Sequence, residues 1–84
     1  MKKQLLIELY SIENDLFLDE IDISRYDLKK INEICPPYDE FDYEYCNGYE
    51  IEEEEEFIKL KEFIEELKTI DFFKYSCSII TRQI

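Results

Sequence analysis

Residues 3–23 read KQLLIELYSIENDLFLDEIDI, and the fold turns on this stretch. Leu5, Ile7 and Leu9 are apolar at alternate positions, the period of two that lays one face of a strand on a core. Gln4, Leu6, Glu8 and Tyr10 take the other face. Glu13, Asn14 and Asp15 break the pattern with short polar side chains that bond back to the local backbone and favour a turn. Alternation resumes over 16–23, with Phe17, Ile21 and Ile23 on one face. Two strands joined so closely predict an antiparallel hairpin.

Downstream the period changes to that of a helix. Ser24 is a candidate N-cap with Asp27 as its capping-box partner, or Asp27 is itself the cap. Leu28, Ile31, Ile34 and Cys35 then give a short helix, which Pro36 and Pro37 stop because neither ring nitrogen can donate. Residues 38–49 read as a loop, closed by an Asn47-Gly48 turn. A longer helix is predicted over 52–68, with Phe57, Leu60, Phe63, Ile64, Leu67 and Ile70 on one broad face. Its first turns hold Glu52–Glu56, where the helix dipole favours negative charge. Glu55 and Lys59 stand four apart as a surface pair, and Ile58 points away from the core face. Residues 69–71 connect to a third strand over 72–82, with Phe73, Tyr75, Cys77 and Ile79 inward and Lys74, Ser76, Ser78 and Arg82 outward. The expected fold is α+β, in the order β-β-α-α-β. A three-stranded, largely antiparallel sheet carries two helices on one face, in a single domain of residues 1–84.

A chain of 84 residues buries only about 60% of the surface its unfolded form exposes. Its 22 acids outnumber 10 bases, for a net charge of −12. Residues 31–58 hold eleven of those acids and no Lys or Arg. Such a balance disfavours nucleic acid and anionic membrane as partners and favours a basic protein. No apolar run reaches membrane-spanning length. Met1, Lys2 and Lys3 precede an apolar run as in a secretory leader. Glu8 interrupts that run and no small-residue cleavage site follows, so the expected location is the cytoplasm.

The three cysteines lack a C-x-x-C pairing and their number is odd. Reduced thiols are expected, with Cys77 in the core; a Cys35–Cys46 bridge across the loop is the alternative. No zinc site is expected, because the chain has no His and no ligand spacing. Without His, neither a Ser-His nor a Cys-His nucleophile can be built. One Gly cannot supply a multi-glycine phosphate loop. Counting back from Gly48 puts Tyr43 and Tyr45 where a calcium loop needs acids. The expectation is a binding protein with no catalytic residue, cofactor or metal.

The loop carries that binding role. Tyr38, Phe41, Tyr43, Tyr45 and Tyr49 alternate there with Asp39, Glu40, Asp42 and Glu44. Some rings should fold back to cap a small core, and the rest would stand among carboxylates. Tyrosine combines a large apolar body with a polar tip, which suits interfaces. Carboxylates can take the places of substrate phosphates in a Lys- and Arg-lined cleft, and opposite potentials speed association. The candidate partner-binding residues are Asp39, Glu40, Asp42, Tyr43, Glu44 and Tyr45, with Glu52, Glu53, Glu54 and Glu55 as a secondary rim. A competing surface is the second face of the hairpin, where Leu6, Leu16 and Leu18 would meet water and an edge strand could pair with a partner strand.

The layout also resembles a known family. A hairpin over 3–23 leads through Tyr26-Asp27-Leu28 and a short helix to a loop ending in Tyr49-Glu50-Ile51. A Glu-rich helix and a closing aromatic strand with Phe72-Phe73-Lys74-Tyr75 follow. This is similar to the small acidic immunity proteins of bacterial toxin–immunity pairs, including contact-dependent growth inhibition systems. The resemblance implies a monomeric inhibitor that binds a cognate toxin one to one, often a basic nuclease, in the cell that makes both. A nucleic-acid mimic of the anti-restriction or anti-CRISPR kind, or a non-inhibitory interaction module, would use the same acids on a different basic protein.

Overall fold

The computed structural model describes residues 3–83. Met1 and Lys2, on which the reading of the N-terminus rests, lie outside them. The chain folds as β1 (Lys3–Ser11), β2 (Phe17–Asp22), α1 (Leu28–Ile34), β3 (Tyr49–Ile51), α2 (Glu54–Phe63) and β4 (Tyr75–Gln83), with 3₁₀ turns at Glu65–Thr69 and Phe72–Lys74. Among the described residues no helix is long and apolar enough to cross a membrane.

The fold is α+β, with four antiparallel strands in the order β2-β1-β4-β3. The expectation of three strands missed β3. Its inward Tyr49 and Ile51 and outward Glu50 do alternate, but three residues are too few to mark a strand without the partner that completes its hydrogen bonds. That partner is β4, which lies at the centre beside β1 in an unbroken register from Lys3↔Gln83 to Ser11↔Tyr75.

The hairpin forms where the polar turn predicts it. The Ser11 N–H donates to the Leu16 carbonyl at 2.9 Å and the Asp15 N–H to the Ser11 carbonyl at 2.9 Å. One face of the sheet (Leu5, Ile7 and Leu9 with Cys77 and Ile79) packs against Ile31 of α1 and Phe57 and Leu60 of α2. Both helices therefore lie on one face, as the helical periodicity predicts.

Three local expectations are corrected, and of the two N-cap readings the one realised is Asp27, which accepts from the Lys29 N–H at 3.0 Å. Ser24 Oγ instead accepts from the Leu5 N–H at 2.9 Å, closing the sheet end. The long helix breaks at Ile64, whose ψ of 103° is extended. Ile64 and Leu67 are both buried across the break, and Tyr26 Oη accepts the freed Glu65 N–H at 3.0 Å. Asp71 caps the turn Phe72–Lys74, so β4 starts later than predicted. Phe72 then packs on Phe57 with ring centroids 5.2 Å apart, while Phe73 turns to solvent instead of the core. Leu6 is only 1% exposed although it sits on the outer face. Arg82 of β4 reaches Glu20 of β2 at 2.7 Å and Glu8 at 3.8 Å. The Arg82–Glu20 pair spans the central strand between the Gln4 and Glu8 rows, over Leu6.

The thiols of Cys35, Cys46 and Cys77 are free, and no Cys35–Cys46 bridge forms. Cys77 is in the core as expected, together with Cys35.

Candidate functional site

Three tight turns in series build the acidic loop between α1 and β3. The Asp42 N–H donates to the Asp39 carbonyl at 2.8 Å, Tyr45 N–H to Asp42 carbonyl at 3.0 Å, and Gly48 N–H to Tyr45 carbonyl at 3.0 Å. Gly48 takes φ of +79°, which the predicted Asn-Gly turn allows. Tyr45 takes φ of +59°, a left-handed conformation that costs a non-glycine residue about 1–3 kcal/mol. Burial of its ring offsets that cost: Tyr45 is fully enclosed in the core.

Side-chain bonds then pin the loop to its surroundings. Tyr45 Oη donates to the Cys35 carbonyl at 2.7 Å and accepts from Asn32 Nδ2 at 2.9 Å. The same Asn32 amide donates to the Tyr43 carbonyl at 2.9 Å. Both Asp42 carboxylate oxygens point inward, accepting the Cys46 N–H at 2.8 Å and the Asn47 N–H at 3.0 Å. Glu44 Oε2 pairs with Lys3 Nζ at 3.2 Å, and the Glu44 carbonyl accepts from Thr81 Oγ1. Burial pushes the Tyr45 phenol up to about 12 and the Cys35 thiol up to about 12. Burial, then the hydrogen bond to Glu56, raises the Tyr49 phenol as well.

The predicted binding residues thus separate into three groups. Tyr45 is core and offers no surface to a partner. Its expected role as a contact residue is corrected, because its ring and hydroxyl fasten the loop to α1. Asp42 and Glu44 are half-buried and engaged within the molecule. Asp39, Glu40 and Tyr43 are exposed. Glu52, Glu53, Glu54 and Glu55 are also exposed, running from the end of β3 into the start of α2. Glu55 lies 3.9 Å from Lys59, the predicted surface pair. No hydrogen bond or ion pair among the described residues joins these four glutamates to the loop.

Two rings absent from the predicted set complete the exposed surface. Phe41 is 84% exposed, the most exposed large apolar residue among those described. Tyr38 is exposed too, yet held in place. Its ring stacks on Tyr49 with centroids 4.8 Å apart and planes 21° apart, and its hydroxyl donates to the Glu50 carbonyl at 3.3 Å. Both belong to the acid–aromatic alternation that could have found them, but which rings turn inward depends on the turns at Asp42 and Tyr45.

The arrangement suits a macromolecular surface. A cavity of about 150 Å³ lies beside the Lys3–Glu44 pair, well below the roughly 300 Å³ at which small-molecule sites begin. Among the described residues no group of three or more Cys, Asp or Glu side chains converges to hold a metal ion.

A family model described as Domain of unknown function (DUF7683) matches residues 4–79. No curated protein and no solved structure matches the chain.

Proposed function

Given that the chain belongs to the DUF7683 family, a family of unknown function, we propose from its own surface that it is an immunity protein. It binds and neutralises a cognate bacterial toxin domain, a basic nuclease, as a monomer in a one-to-one complex in the cytoplasm. It acts by occlusion and charge complementarity, with no covalent step. One observation carries this reading. A loop pinned by Tyr45 and Asp42 holds Tyr38, Phe41 and Tyr43 exposed beside the exposed carboxylates of Glu40 and of Asp39, one oxygen of which accepts the Phe41 N–H at 2.9 Å.

A loop already ordered loses little entropy on binding, and rigid rings supply contact area at low cost. Asp39 and Glu40 would meet Lys or Arg side chains that otherwise hold substrate phosphate, and Phe41 would fill an apolar recess between them. The net charge of −12 steers a basic partner inward. A nucleic-acid mimic needs extended rows of free carboxylates. Engagement of Asp42 and Glu44 inside the loop leaves a compact corner, which favours a single cleft.

The test is to sequence the genes on either side and co-express the chain with any basic nuclease domain found there; finding none would count against the proposal. The expected result is restored growth and one-to-one inhibition by the wild-type chain. Asp39→Lys with Glu40→Lys should raise Kd at least tenfold, chiefly through slower association, and Phe41→Ala should raise it roughly tenfold through faster dissociation. A wild-type chain that neither binds nor inhibits any nuclease domain so encoded would overturn the proposal.

A further inference from the structure

The hairpin end of the sheet is a second exposed surface, at the corner diagonally opposite the acidic loop. The loop is tied to Thr81 and Lys3, at one end of the β1–β4 ladder and beside β3. The hairpin turn leaves from the Ser11↔Tyr75 end, and its second strand, β2, forms the other edge. Ile12, Leu16, Phe17 and Leu18 are each half or more exposed. Phe73, two residues before Tyr75, is exposed at the same end. Four large apolar side chains within seven consecutive residues form a patch, not the scattered single leucines of an ordinary surface.

The patch is ordered. Both backbone bonds between the Ser11 region and 15–16 close the turn, and Asn14 Oδ1 accepts the Leu16 N–H at 3.2 Å. A bulge shifts the pairing from Leu9↔Asp19 to Tyr10↔Phe17, and the Phe17 ring stands edge-on to Tyr10 with centroids 5.8 Å apart.

Charge selects the occupant. Residues 11–22 contain Glu13, Asp15, Asp19, Glu20 and Asp22 and no Lys or Arg. Arg82 already offsets Glu20; a second copy would set the other four acids against the same four, and like charges facing one another are unfavourable. An anionic membrane is repelled for the same reason. Basic side chains flanking an apolar segment would meet both the patch and its rim.

Backbone geometry selects the mode. The Ile23 N–H donates to the Leu5 carbonyl, so by alternation the N–H groups of Asp19 and Ile21 also point at β1 and those of Glu20 and Asp22 point outward. The outward Glu20 N–H is already taken by Asp19 Oδ1 at 2.8 Å. With Leu18 unpaired in the bulge, the edge is a poor template for an added strand.

We infer that this hairpin end is a docking surface for an apolar segment of a basic protein, engaged through the side chains of Ile12, Leu16, Phe17 and Leu18 and not through strand pairing. The inference stands apart from the role of the acidic loop. The probe is a fluorescent peptide of alternating Leu and Lys, with a Ser–Lys peptide of equal charge as control, titrated against the full chain at physiological salt. The Leu–Lys peptide should bind at least tenfold more tightly than the control. Leu16→Ser with Leu18→Ser, which changes no charge and no buried residue, should abolish that preference. Asp39→Lys with Glu40→Lys should keep it. Methylating backbone nitrogens of the peptide should leave affinity within about threefold. Equal binding of the two peptides, survival of the preference in the double serine variant, or loss of binding on backbone methylation would each overturn the inference. So would a dimer of the wild-type chain in sedimentation that the double serine variant dissolves.

Discussion

The Tyr45 hydroxyl donates to the Cys35 carbonyl at 2.7 Å, fastening the middle of the acidic loop to the last turn of α1. Pro36 and Pro37 follow, and neither supplies an N–H to that turn. A residue ten positions away does the capping. Tyr45→Phe keeps the ring but leaves the carbonyl without its donor. The expected loss is about 1–2 kcal/mol, or roughly 5–15 °C in Tm for a chain of this size. Thermal melts followed by circular dichroism check it; an unchanged Tm would remove the bond from the account of the loop.

Asp42 and Glu40 make a matched pair of acids with opposite roles. Asp42→Ala frees the Cys46 and Asn47 N–H groups and should cost about 1–2 kcal/mol. Hydrogen exchange at those two amides should accelerate. The exposed Glu40 makes no contact of this kind among the described residues, and Glu40→Ala should stay within about 0.5 kcal/mol of wild type.

Thiol reactivity should separate cleanly. Cys46 is exposed, whereas Cys35 and Cys77 are buried, and burial pushes their thiols up to about 12 and about 11. A thiolate-selective reagent at pH 8 should modify one cysteine quickly and the other two only on unfolding. Rapid modification of two or more in the folded chain would contradict the packing.

Alkaline pH should destabilise the fold. Burial raises Cys35 and Cys77 from 9.0 to about 12 and about 11, and Tyr45 from 10.0 to about 12. The folded chain holds these protons longer than the unfolded chain does. Their contribution is therefore fully present below pH 9 and lost as pH rises through the window from 9 to 12. Urea midpoints measured from pH 8 to 11 should fall progressively.

Salt should stabilise. A net charge of −12 repels itself across the molecule, and screening relieves that repulsion. The ion pairs that salt also weakens are surface contacts worth little each. Tm should rise between low and moderate ionic strength; a flat or falling Tm would show that local pairing outweighs the net charge.

Legibility followed the range of the interaction. Leu5, Ile7 and Leu9, the polar turn at 13–15 and the stop at Pro36 and Pro37 are local signals, and each element they mark is present. The break at Ile64 was not legible, because nothing in Phe63-Ile64-Glu65 stops a helix. Tyr26, nearly forty residues earlier, accepts the freed Glu65 N–H and donates to the Glu66 carboxylate at 2.5 Å. Phe73 turned outward because the cap at Asp71 inserts a turn and shifts the parity on which its inward reading rested.

The candidate site divides in the same way. The sequence by itself determined a helix-covered antiparallel sheet and a loop dense in acids and aromatics, since periodicity and composition are properties of neighbouring residues. Only the tertiary structure decided which of those loop residues face solvent. Tyr45 and Phe41 are chemically similar and four positions apart, yet one is sealed in the core and the other almost wholly in water. The difference comes from contacts distant in sequence: Asn32 and Cys35 on α1 receive the Tyr45 hydroxyl, and Thr81 on β4 holds its backbone. A ring is drawn inward where a cavity and a hydrogen-bond partner await it, and the fold supplies both only after the strands and helices have met.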